Sequence, residues 1–174
     1  MNEITIRRAG CADVSSIEDI YQDCVRWTDQ TASSLWTADD MTWEKLSTAF
    51  HPGDFHIAFL NKKPAGCMIL LDHDPFFWPD VKKGRALFIH KLAVCETARK
   101  TGLGNALINY AKGLGLSQGA DAIRLDCDAS RDKLRAFYER HGFSCVREKT
   151  YADKNGVPKY RCAFYVFDLA GMPA

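Results

Sequence analysis

The stretch best suited to chemistry is Arg99-Lys100-Thr101-Gly102-Leu103-Gly104, an R-x-x-G-x-G sequence between an apolar strand-like run and a helical one. Its two glycines permit backbone conformations that larger residues resist, so successive N–H groups can turn inward and cradle an anion at the positive end of the next helix. A phosphate or pyrophosphate suits such a cradle, and Arg99 and Lys100 add charge. The segment lacks the G-x-x-x-x-G-K-[ST] of a P-loop and the first glycine of a G-x-G-x-x-G dinucleotide fingerprint. Taken alone, the glycine pair leaves a plain turn as the alternative.

Other residue types narrow the chemistry. The seven cysteines, at 11, 24, 67, 95, 127, 145 and 162, are odd in number and sit in apolar surroundings such as AGCMILL and RCAFYVF. They read as buried, reduced thiols, and neither Cys95 nor Cys127 has an evident base beside it in sequence to make it a nucleophile. With no C-x-x-C pair and five scattered histidines, no metal site is expected. Twenty-three Lys plus Arg against 22 Asp plus Glu give a net charge of +1, without the cationic clustering that nucleic acid or a membrane surface demands. Apolar runs fall well short of the ~20 residues that span a bilayer, and MNEITIRRAG has no apolar signal core, so a cytoplasmic protein is expected.

These residues need a scaffold, and 174 residues suffice for one core and a single domain over 1–174. Alternation predicts β1 at 4–8. Asp13 is expected to cap α1, whose face carries Val14, Ile17, Ile20, Tyr21, Cys24 and Val25. Thr37 and Asp40 form a variant capping box for α2 over 38–49, with residues 27–36 bridging the two helices. FHIAFL (55–60, β2) and PAGCMILL (64–71, β3) make a hairpin around Asn61, Lys62 and Lys63; a loop of about fourteen residues precedes β4 (86–94). The spacing then predicts α3 from 104 until Gly119, β5 (122–127), α4 (134–141, ended by Gly142), β6 (143–151) and β7 (160–169). The order β1-α1-α2-β2-β3-β4-α3-β5-α4-β6-β7 implies a mixed α/β sheet flanked by helices.

IHKLAVCETARKTGLGNALINYA and LRAFYERHGF, in which R-x-x-G-x-G is followed about 33 residues on by F-Y-E-R-x-G-F, resemble the cofactor-binding core and the helix-four signature of the GNAT superfamily of acetyl-CoA-dependent N-acetyltransferases. The likeness extends over nearly the whole chain. It implies a single, mostly antiparallel seven-stranded sheet with four helices, and acetyl-CoA as co-substrate. It implies that Leu92, Ala93 and Val94 offer backbone groups to the pantetheine arm, and that N–H groups of Lys100, Thr101, Gly102, Leu103, Gly104 and Asn105, with Arg99 nearby, hold the pyrophosphate. Tyr138 would protonate the departing thiolate, since a phenol donates a proton yet stays neutral at pH 7. An amine of pKa near 10 must lose a proton before it attacks, and His90 stands where several members carry a carboxylate. A structural histidine is the alternative, with a water chain as the base; Glu96, Asp72 and Asp74 are weaker candidates. Where many members have Asn seven residues before the tyrosine, this chain has Arg131, so Ser130 or Asp128 would substitute, or Arg131 would reach a CoA phosphate.

The resemblance also places the acceptor among the first two helices, the loop after β3 and the last hairpin. Trp27, Trp36 and Trp78 with Asp72 there suit a cationic amine, of a small molecule or a peptide. Exposed terminal strands would allow a homodimer. A CoA-binding module that regulates a partner without turnover is the alternative to a transferase.

Overall fold

Asn61 (φ 51°) and Lys62 (φ 67°) reverse the chain between β2 (Phe55–Leu60) and β3 (Lys63–Leu71) in the computed structural model, which describes residues 2–30 and 36–170. Two successive left-handed residues are what a two-residue hairpin turn requires, so Lys63 is the first residue of β3, opposite Leu60, and not part of the turn. Seven strands form the sheet: β1 (Ile4–Arg8), β2, β3, β4 (Ala86–Val94), β5 (Ala122–Asp128), β6 (Ser144–Ala152) and β7 (Pro158–Asp168). Their order is β1-β2-β3-β4-β5-β7-β6. β4 and β5 run parallel, while β1 with β2, β2 with β3, β5 with β7 and β6 with β7 are antiparallel. The β4–β5 register runs from Ala86 opposite Ala122 to Ile89 opposite Leu125 and stops there, one residue before His90.

The chain folds as two compact units, Met1–Leu70 with Lys91–Tyr110, and Leu71–His90 with Ala111–Ala174. In the first, α1 (Val14–Gln30) buries Ile17, Ile20, Tyr21, Cys24 and Val25, and the Tyr21 ring meets Phe55 of β2 edge-on at 6.3 Å. Removing each such side chain from water contributes roughly 1.5–3 kcal/mol. Asp13 does not cap this helix by accepting from its first turn; it closes a preceding 3-10 turn, accepting from Gly10 N–H at 2.9 Å and from Arg7 at 2.7–2.8 Å. The expected α2 over 38–49 is also corrected. Thr37 and Asp40 do cap each other, with Thr37 Oγ1 donating to Asp40 Oδ2 at 2.6 Å, but they start only a 3-10 turn. Thr42 is extended (ψ 151°), breaks the run and caps a short α2 (Trp43–Leu46) by accepting from Lys45 N–H. Of the bridge expected over 27–36, residues 31–35 lie outside the described residues.

α3 (Leu103–Ser117) begins in the first unit, where Leu103 and Leu107 are buried over Gly66. A Cβ on Gly66 would lie 2.9 Å from the Ala93 carbonyl oxygen, so only glycine permits that approach. In the second unit, Trp78, Ala86, Phe88, Cys162 and Phe164 form a buried cluster, and α4 (Asp132–Arg140) buries Tyr138. β6 is exposed along its length but for Tyr151, and carries Arg147, Glu148 and Lys149, the charges that discourage edge pairing. All seven cysteines are free thiols. Cys24, Cys67, Cys127 and Cys162 are buried as expected, whereas Cys11, in a surface turn, and Cys145, on the edge strand, are exposed. Among the described residues no helix is long and apolar enough to cross a membrane.

Candidate active site

The glycine turn has the conformation its sequence allows. Lys100 (φ 63°) and Gly102 (φ 92°) are both left-handed, and α3 starts immediately after, with Ala106 N–H donating to Gly102 O at 3.0 Å. N–H groups of a helix's first turn have no intrahelical acceptor, so those of Leu103 and Gly104 project from the helix end with the positive pole of its dipole. A Cβ at Gly102 would meet nothing within 4 Å, so that side of the turn is uncrowded. Thr101 is turned away from it, its N–H and hydroxyl both directed to Ala98 O. Arg99 is committed elsewhere: its guanidinium carbon lies 3.3 Å from the Trp27 ring centroid and its Nη2 points to Cys24 Sγ. Trp27 and Arg99, expected in separate roles, therefore face each other. Cys95 N–H donates to Ala65 O, and on a pleated strand Leu92 then directs its N–H group to the opposite edge, whereas the Val94 backbone N–H faces the Cys24 thiol.

Lys91 (φ 48°) interrupts β4 with a left-handed residue, and the buried Tyr21 hydroxyl donates to its carbonyl at 2.8 Å. Lys91 also lines a cavity of about 360 Å³ with Trp36, Asp40, Met41, Leu46 and Phe50. Its ammonium lies 5.3 Å from the Trp36 ring centroid. Of the three tryptophans expected at the acceptor, Trp36 lines this cavity.

In the second unit three acid–base groups from separate segments converge. Asp74 of the loop after β3, His90 of β4 and Asp126 of β5 offer ligand atoms all within 4.8 Å of one another. Asp74 Oδ2 lies 3.6 Å from His90 Nε2. Asp74 is only 6% exposed; its Oδ1 accepts from Phe77 N–H at 3.0 Å, and its Oδ2 makes no hydrogen bond. Asp126 Oδ2 faces the Cys162 thiol at 3.7 Å. Tyr138 is buried against Phe137, Phe143 and Tyr165, and its hydroxyl makes no hydrogen bond among the described residues. Burial, then the neighbouring Cys127 and Asp126, raise its pKa above the ordinary phenol value and hold it protonated.

The remaining expected site residues make contacts of their own. Trp78 is a core ring, 4% exposed, with the Arg124 and Arg147 guanidinia 4.6 and 4.8 Å from its centroid, so its expected place at the acceptor is corrected: burial takes the ring away from a dissolved amine. Asp72 is exposed and faces Lys83 at 3.8 Å. Ser130 donates its hydroxyl to Asp128 Oδ1 at 2.7 Å, and Arg131 Nε lies 3.9 Å from Asp128 Oδ2. Asp126 carries only a weak sequence signal: in AIRLDC it alternates with apolar Leu125 and Cys127 and falls on the half-buried face of β5 that also carries Arg124 and Asp128.

An open seven-stranded sheet whose fourth strand leads through a glycine turn into a helix defines an acyl-CoA N-acyltransferase fold, and the family model agrees. The chain belongs to the acetyltransferase (GNAT) family, matched over residues 14–143. It is similar to the uncharacterized N-acetyltransferase YesJ of Bacillus subtilis (strain 168), 25% identical over 138 residues that cover 75% of this chain and 76% of YesJ. Its fold is that of the ribosomal-protein-S18-alanine N-acetyltransferase of Escherichia coli (TM-score 0.70, 18% identity, covering 99% and 97% of the two chains). It is also that of yncA of Salmonella typhimurium, solved with its cofactor acetyl-CoA (TM-score 0.65, 16% identity, covering 98% and 96%).

Proposed function

We propose that residues 1–174 act as one domain that transfers the acetyl group of acetyl-CoA directly to a primary amine of a small molecule or peptide, releasing CoA as the thiol. The observation that carries this is the left-handed pair Lys100 and Gly102 at the start of α3, a turn suited to cradle an anion, in a chain whose family match takes residues from both units. Backbone N–H groups around Gly102, Leu103 and Gly104 hold the diphosphate, and that of Leu92 meets the pantetheine arm.

The chemistry follows from the groups of the second unit. The acceptor nitrogen attacks the thioester carbonyl carbon; a C–N bond forms, and the C–S bond breaks. His90 accepts the proton that the nitrogen loses, with Asp74 3.6 Å away to balance the imidazolium charge. Tyr138, kept protonated, gives its proton to the departing sulfur and recovers one from solvent. Asp126 provides a carboxylate near both, attractive to an ammonium before it is deprotonated.

Thiol release from acetyl-CoA across a panel of amines tests the reading. Tyr138→Phe is expected to keep CoA affinity and lose at least about 10²-fold in acceptor-dependent rate, the usual worth of a positioned acid. CoA binding without acceptor-dependent turnover in the wild type would instead establish a non-catalytic CoA module.

A further inference from the structure

We propose that Asp74, His90 and Asp126 form a binding site for one divalent transition-metal ion of the zinc type. The three donors come from a loop and two strands, yet all lie within 4.8 Å of one another, and the closest pair, Asp74 Oδ2 and His90 Nε2, is 3.6 Å apart. A four-coordinate ion with bonds of about 2.0–2.1 Å spaces neighbouring donors by roughly 3.3–3.5 Å, so that pair is in place, and a modest side-chain rotation brings in the third. One imidazole with two carboxylates is a borderline donor set that suits zinc, whereas calcium and magnesium ask for more oxygen ligands.

A second observation points to a cation. Asp74 is 6% exposed, and its Oδ2, directed at His90 Nε2, makes no hydrogen bond. A buried carboxylate oxygen without a donor is costly, and a bound cation offsets that cost. The ligands are also oriented from behind, as metal ligands usually are: Phe77 N–H holds Asp74 Oδ1 at 3.0 Å, and the Cys162 thiol faces Asp126 Oδ2. Phe88, Phe164 and Cys162, all fully buried, belong to the same unit and pack together as its dry core. With three protein ligands, one coordination position stays open. Binding does not depend on acetyl transfer. Only its consequence does: an ion on His90 Nε2 takes the lone pair that the proposed base needs, and so inhibits.

The test uses untagged full-length protein with the exposed thiols removed (Cys11→Ser, Cys145→Ser), titrated with Zn2+ by calorimetry and with Co2+ by visible absorption, without acetyl-CoA. One ion per chain is expected, with ligand-field bands for Co2+, and Asp74→Asn and Asp126→Asn should each weaken binding by at least about 10-fold. Absence of stoichiometric binding overturns the proposal, as does binding of unchanged affinity in both carboxamide variants, which would put the ion on other donors. Thermal melts confirm that each variant is folded, and His90→Gln supplies the same comparison if one is not. Because no turnover is read, failure here leaves the transferase reading standing, and failure of turnover leaves this site standing.

Discussion

Replacing Gly102 by alanine isolates the backbone conformation of the proposed diphosphate cradle. The residue has φ 92°, and no atom lies within 4 Å of the Cβ the substitution adds, so crowding contributes nothing and strain contributes everything. Left-handed backbone costs an L residue about 1–2 kcal/mol, and φ 92° lies beyond the centre of that well, which favours the upper end. If the turn keeps its shape, the cost appears as lost stability. At roughly 2–4 °C per kcal/mol for a chain of this size, the melting temperature should fall by about 2–8 °C. If the turn relaxes instead, its N–H groups swing away from the anion, and the same energy appears as a 5- to 30-fold, order-of-magnitude loss in CoA affinity. Gly113 is the matched control: it lies inside α3, exposed, with nothing within 4 Å of an added Cβ and no positive φ. There alanine should stabilise by about 0.5–1 kcal/mol and leave CoA binding unchanged. Calorimetric melting and CoA titration of both variants decide the matter. A Gly102→Ala protein that melts and binds like the wild type would refute the cradle, as would equal losses of affinity in the two variants.

Two further predictions concern buried groups. His56, 5% exposed and 3.0 Å from the Tyr110 hydroxyl, has its pKa lowered to about 4, first by burial and then by the Arg8 charge. Because the unfolded value is near 6.5, the unfolded chain binds this proton more readily. The stabilisation is whole above pH 6.5 and is lost as the pH falls toward 4, up to about 3 kcal/mol. His56→Gln should therefore flatten the decline in melting temperature between pH 7 and 4, and an unchanged slope would contradict the assignment. Thiol labelling of the native protein at pH 8 should modify Cys11 and Cys145 first, since both are exposed. Cys67 should stay unmodified because burial pushes its pKa well above the usual thiol range; Cys127 and Cys162 should as well, pushed up to about 12 chiefly by burial. Rapid native labelling at Cys67, read by peptide mass spectrometry, would argue against the described packing of β3.

The sequence alone determined what depends on neighbours in the chain. Alternation and helical spacing located the strands, three of the four helices and the loop of 72–85, because period and turn chemistry are local. Gly102 announced a left-handed turn before α3 because only its residue type makes that turn cheap. Thr37 and Asp40 announced a cap, but the length of the helix after it was set by Thr42, whose extended backbone ends the run. Tertiary structure decided which side chains meet. Arg99 stacks on Trp27, 72 positions away in the chain, so a cation that reads as a phosphate ligand spends its face on an indole. Trp78 reads as an aromatic of the acceptor site in a loop between two prolines, yet it fills the core of its unit. Asp74, His90 and Asp126 belong to three segments with no shared motif. Only the tertiary fold, by setting β5 beside β4 and bringing Asp74 of the loop after β3 to them, places their donor atoms within 4.8 Å of one another.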